Sequence, residues 1–166
     1  MNNRESVNLL TFNQWIFPDS NTLILFEEIK IFEEEIGLTL PEDYKSFLLN
    51  CKIGKLYYNN YLVKVGNSVQ NFMVESFLNL DEVKNTYKNL EEFRSFNPES
   101  VGLFPIANTH ASPVLCISLK ENIGNILLID WDLGITLQES CFFDFLKKIT
   151  FDDEFPDWND SLFKVI

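Results

Sequence analysis

The chain is expected to fold as α+β, with a mainly antiparallel sheet and helices packed to one side and one end. Three observations predict it. Segments of helical period and segments of β-type composition come in blocks, in the order two helices, hairpin, helix, meander, helix, and do not alternate one for one as a parallel sheet requires. The turn Asn122-Ile123-Gly124 joins two apolar runs as neighbours in an antiparallel pair. Size and composition supply the third: 166 residues with 46% hydrophobic content form one core, and 16 phenylalanines make it bulky and aromatic. A single domain over 1–166 is expected, with its core at about 23–149 and an acidic, aromatic C-terminal extension over 150–166.

The first helix is expected over 23–36. Leu25, Phe26, Ile29, Phe32 and Ile36 follow its period, and Glu27, Glu28, Glu33, Glu34 and Glu35 take the opposite face. Gly37 can close it in the left-handed conformation. Acids in the last turn oppose the helix dipole, which marks either a solvated face or a binding surface bearing a small stability cost. The second helix is expected over 41–51, with Pro41 at its first position and Glu42 and Asp43 at the end that favours anions. Tyr44, Phe47, Leu48 and Cys51 are its inward stripe.

β-favouring residues and the turn Gly66-Asn67-Ser68 predict a hairpin of 61–65 with 71–78. A third helix is expected over 80–95: Asn79 and Glu82 have capping-box spacing, Val83, Tyr87, Leu90 and Phe93 face inward, and Pro98 prevents continuation. Strands follow at 103–107, 114–119 and 125–131. The closing helix is expected over 137–149, capped by Thr136 and Glu139, with Phe142, Phe145, Leu146 and Ile149 inward and Lys147 and Lys148 complementing its C-terminal dipole. The tail over 151–166 sets five acids among Phe155, Trp158, Leu162 and Phe163, and a short docked helix is expected there.

Twenty-five acids oppose 13 bases, a net charge of -12. Such a chain is repelled by phosphate backbones and attracts basic proteins, so direct nucleic-acid binding is not expected. No apolar run approaches the roughly 20 residues of a membrane span, and residues 1–6 lack the shape of a signal peptide, so a cytoplasmic location is expected. Cys51, Cys116 and Cys141 lie in apolar patterns with no regular spacing, which fits free buried thiols and neither a disulfide framework nor a zinc site.

No catalytic constellation emerges. His110 is the sole histidine, in a loop, with no nearby group to activate it. Asp130 and Asp132 flank Trp131; on a strand they would share a face opposite a buried indole, as polar strand-end residues or, less readily, as metal ligands or catalytic acids. The tail acids lack the calcium-loop pattern, and no glycine-rich phosphate loop exists. No cofactor, no metal and no enzymatic activity are expected.

Leu40-Pro41-Glu42-Asp43-Tyr44-Lys45 after an acidic helix, then Phe104-Pro105-Ile106-Ala107, the strand pair around 115–131, and Phe142-Phe143-Asp144-Phe145-Leu146 occur in an order that resembles the SUKH superfamily. That group includes Smi/Knr-type regulators and bacterial immunity proteins. The likeness spans about 25–149. Two loops depart from the family pattern: Asn50-Cys51-Lys52-Ile53-Gly54 stands where Asn-Gly-Gly is frequent, and Thr109-His110-Ala111-Ser112-Pro113 where a Gly- and Asp-rich loop is frequent.

The resemblance implies a non-catalytic protein-binding module, first of all an immunity protein that neutralises a cognate toxin domain, often a basic nuclease. The alternative it implies is a regulatory or scaffold domain acting on the cell's own proteins. Acids near aromatics are the expected contacts: Asp152, Asp153, Glu154, Asp157 and Trp158 first, then Glu33, Glu34, Glu35, Glu42 and Asp43. The expected state is a monomer or a weak homodimer.

Overall fold

The computed structural model describes residues 8–20 and 22–151. The tail acids and all of the expected tail helix except Phe151 lie outside them. The chain begins with α1 (Leu9–Asn13) and β1 (Ile16–Pro18), both too short to leave a periodic signal. Then come α2 (Phe26–Ile36), α3 (Glu42–Asn50), β2 (Gly54–Leu56), β3 (Asn59–Val65), β4 (Ser68–Phe72), β5 (Val74–Phe77), α4 (Leu80–Asn89), α5 (Glu91–Phe96), β6 (Leu103–Thr109), β7 (Val114–Ser118), β8 (Ile126–Asp130), β9 (Gly134–Glu139), α6 (Phe142–Lys148) and β10 (Thr150–Phe151).

Seven strands form an antiparallel sheet in the order β1-β2-β5-β6-β7-β8-β9, and a smaller sheet runs β10-β3-β4. The fold is α+β, as expected. Alternation along the strands sorts the side chains: Leu115, Ile117, Ile126 and Leu128 enter the main core with α2, α3, α6 and β3. Cys116 and Ile129 point to the opposite face, where Leu90 and Phe93 cover them. The main core is aromatic at its centre, with Phe47 4.7 Å from Phe77 and 5.0 Å from Phe142, and Tyr61 5.1 Å from Phe145.

Two buried amides join the small sheet to the large one. Asn59 accepts the Val74 N–H at 2.9 Å and donates to the Val74 carbonyl at 2.8 Å. Gln138 accepts the Lys64 N–H at 2.8 Å and donates to the Lys64 carbonyl at 2.7 Å. Each side chain pairs with a strand as a peptide group would, so β3 is clamped to β5 at one end and to β9 at the other.

Three expected elements are corrected. The hairpin partner of β3 is β4, in register Val65↔Ser68 to Tyr61↔Phe72, and β5 leaves to pair with β2 and β6. Met73 makes the crossing, held by its carbonyl accepting the His110 N–H at 3.0 Å and its N–H donating to His110 Nδ1 at 2.9 Å.

The expected helix over 80–95 breaks at Leu90. This lets α4 send Val83 to the main core while Leu90 and Phe93 reach the back of the sheet. Arg94 sits over the Tyr87 ring, 3.7 Å from its centroid, and its guanidinium donates to the Tyr87 carbonyl, which at the break also accepts the Leu90 N–H at 3.2 Å.

The expected helix over 137–149 is a strand followed by a shorter helix. Asp130 Oδ1 accepts the N–H groups of Asp132 and Leu133 at 2.8 and 2.9 Å, Gly134 takes φ 84°, and the turn sends β9 back along β8. Trp131 therefore lies in the turn, 54% exposed, and Asp130 and Asp132 share no strand face. The inward set Phe142, Phe145, Leu146 and Ile149 is buried as expected.

Candidate functional site

The acids of α2 and α3 divide by what each holds. Glu33 accepts the Leu40 N–H at 3.1 Å and lies 3.2 Å from Lys45 Nζ, which also reaches Glu42 at 3.5 Å. One lysine thus brings Glu33 and Glu42 together across the α2–α3 turn. Asp43 faces the other way. Its Oδ1 accepts the Tyr44 N–H at 2.8 Å and its Oδ2 accepts the Phe143 N–H at 3.1 Å. Cys141, the residue before α6, makes no side-chain cap, so Asp43 supplies an acceptor and a negative charge at the positive end of that helix.

Glu35 pairs with Lys84 of α4, and the hydrogen bond between them is the main reason the Lys84 ammonium holds its proton more tightly than usual. Glu34 points to solvent and makes no ion pair among the described residues. Asp152, Asp153, Glu154, Asp157 and Trp158 lie outside those residues.

Exposed apolar groups accompany these acids. Helix α2 begins at Phe26 with Leu25 as its N-cap, which leaves both beyond the edge of the core, 61% and 64% exposed, instead of in the expected inward stripe. Ile29 and Phe32 carry that stripe, and Ile31, off it, is 54% exposed. An apolar residue out of phase with the buried stripe and surrounded by charges is a signal the sequence already contained.

Two concavities border this region. A cleft of about 620 Å³ opens between the N-termini of α3 and α6, with Glu42, Asp43, Phe143 and Asp144 around it. A groove of about 320 Å³ runs between α2 and α4.

The residues weighed for chemistry are placed apart. Among the described residues the hollow beside His110 is lined by Asn59, Asn60, Asn71, Phe72 and Met73, with no carboxylate or thiol. Cys51 and Cys116 are buried free thiols and Cys141 is half-buried. Burial pushes the Cys51 thiol up to about 12 and raises Cys116 and Cys141 too, the opposite of nucleophile activation. Among the described residues no group of three His, Cys, Asp or Glu side chains could hold a metal ion, and no helix is long and apolar enough to cross a membrane.

The SMI1/KNR4 family (SUKH-1) model matches residues 24–148, from two residues before α2 to the end of α6. The chain belongs to this family. No curated protein matches it. The family-like segment 40–45 is accounted for by the fold: Leu40 is buried, Tyr44 packs 5.0 Å from Phe142, Asp43 caps α6 and Lys45 ties α3 to α2. Membership in SMI1/KNR4 is consistent with a protein-binding, immunity-type domain.

Proposed function

We propose that this SMI1/KNR4 chain is an immunity protein that binds a cognate toxin effector domain of basic surface and neutralises it. The observation that carries the reading is a net charge of -12 on a member of this family. An enzyme that attacks nucleic acid must attract phosphate, and its cleft is therefore basic. An acidic protein covers such a surface with charge-assisted bonds to Arg and Lys and is steered to it quickly. Exposed Glu34 and Glu42 and the tail acids Asp152, Asp153, Glu154 and Asp157 supply carboxylates, and Leu25, Phe26 and Ile31 supply apolar contact in the same region as the first of these. Glu33 and Asp43 act at one remove, by fixing α3 and α6.

The experiment is a pull-down from the native cell with this chain as bait, at low and at high salt, read by mass spectrometry. Recovery of one basic toxin-like domain, lost at high salt, is the expected result. Recovery of housekeeping or envelope proteins in its place would favour the regulatory role that the Smi/Knr side of the family suggests.

A further inference from the structure

The groove between α2 and α4 has a floor of Ile24, Phe32 and Leu80 and a rim of Glu28, Glu35 and Asp81. On α2 the groove-facing residues are Glu28, then Ile31 and Phe32, then Glu35, a stripe at i, i+3/i+4 and i+7. An apolar step is therefore flanked by a carboxylate one turn before it and one turn after it, with roughly 10.5 Å of helix between the two acids.

The geometry points to this groove as the docking site for an amphipathic helix of the protein partner, with an apolar side chain seated against Ile31 and Phe32 and an Arg or Lys two turns apart on either side of it. The inference rests on the protein-binding reading above and names the surface and the chemistry of its occupant. Charge complementarity selects that occupant over an acidic or uncharged one: among the described residues Glu28, Glu35 and Asp81 line the groove with one lysine, Lys84, and of these acids Glu28 also accepts the Leu25 N–H at 2.6 Å. The apolar anchor carries most of the affinity, because exposed ion pairs each contribute little, and the acids set partner choice and on-rate. Lys84 already lies 3.6 Å from Asp81 and bonded to Glu35, so it competes with the partner's bases for the same carboxylates. The larger α3–α6 cleft has the same balance of three acids to one lysine, but neither of its helices presents an apolar step flanked by acids one turn before and one turn after, so it is the weaker candidate.

The test uses the full chain and a labelled synthetic helical peptide of roughly five turns, with leucines on one face and arginines beside them, and its twin with every leucine replaced by glutamine. Binding is read by fluorescence anisotropy and by backbone amide shifts in an NMR titration. The leucine peptide is expected to shift amides over 24–35 and 79–84 and the glutamine twin to bind about tenfold more weakly or worse. Ile31→Glu changes an exposed helical position and so retains the fold; it is expected to weaken the leucine peptide by about tenfold. Lys84→Ala removes the competing cation and is expected to tighten it. Shifts confined to other elements, or equal affinity in the Ile31→Glu chain, would overturn the inference. So would dimerisation of the wild-type chain that Ile31→Glu abolishes, since the groove would then be occupied by a second copy.

The two readings fail separately. A groove that binds the peptide in a chain that recovers no toxin keeps the docking site and removes the immunity role. A toxin captured equally well by wild-type and Ile31→Glu chains keeps the role and removes the docking site.

Discussion

Asp43→Ala is expected to loosen two helices at once, because one carboxylate caps α6 and also accepts the Tyr44 N–H within α3. The loss of an N-terminal acceptor costs about 1–2 kcal/mol, measurable as a lower urea midpoint. Asp43→Asn, which keeps an acceptor of the same shape, should recover part of it. The buried thiols give a second prediction. The Cys51 thiol ionises near 9.0 in the unfolded chain and is pushed up to about 12 by burial in the folded one. The folded state therefore keeps a proton that the unfolded state has released. Stability from this group is complete below about pH 9, and it is lost as pH rises towards about 12. The difference in urea midpoint between the wild-type and Cys51→Ala chains should be level through neutral pH and shift against the wild type above pH 9. A difference that instead shifts between neutrality and pH 9 would contradict the burial of the Cys51 thiol.

At the scale of elements, the clamp formed by Asn59 and Gln138 decides how the small sheet sits on the large one. Gln138→Ala leaves the Lys64 N–H and carbonyl without the partners that Gln138 provides and is expected to cost about 2 kcal/mol. Hydrogen exchange should then quicken at Lys64 before it does in β7. The same region shows where sequence patterns stop informing. Helices α2, α3 and the end of α6 were legible because each buries a stripe of period 3.6, and β6, β7 and β8 because their apolar runs are long and separated by turn residues. Strand β9 was misread as helix because Thr136 and Glu139 happen to have capping spacing. The contrary signal was Gly134 followed by Ile135 and Thr136, a turn glycine and two β-branched residues. The break at Leu90 left no local trace, since Val83, Tyr87, Leu90 and Phe93 also suit one straight helix; the need to cover both sheet faces ends it. Nothing local marks Asn59 and Gln138 as clamps, because their partners lie far off in the chain.

For the whole molecule, charge was the most readable property and its distribution the least. The total of -12 follows from composition, but the division of acids into structural ones such as Glu33 and Asp43 and outward ones such as Glu34 depends on which helix each meets. If long-range attraction drives partner capture, reversing Asp152 and Asp153 to lysine should slow association several-fold, flatten its salt dependence and leave dissociation nearly unchanged. Stopped-flow mixing at several ionic strengths would show it. Unchanged rates at every salt concentration would reduce the tail to a solubilising cover. The most direct measurement is the growth of bacteria producing the basic domain recovered in the pull-down, with and without this chain made in the same cell. Neutralisation predicts arrested growth for the domain alone and restored growth when both are present. Growth that stays arrested despite abundant folded chain would contradict it.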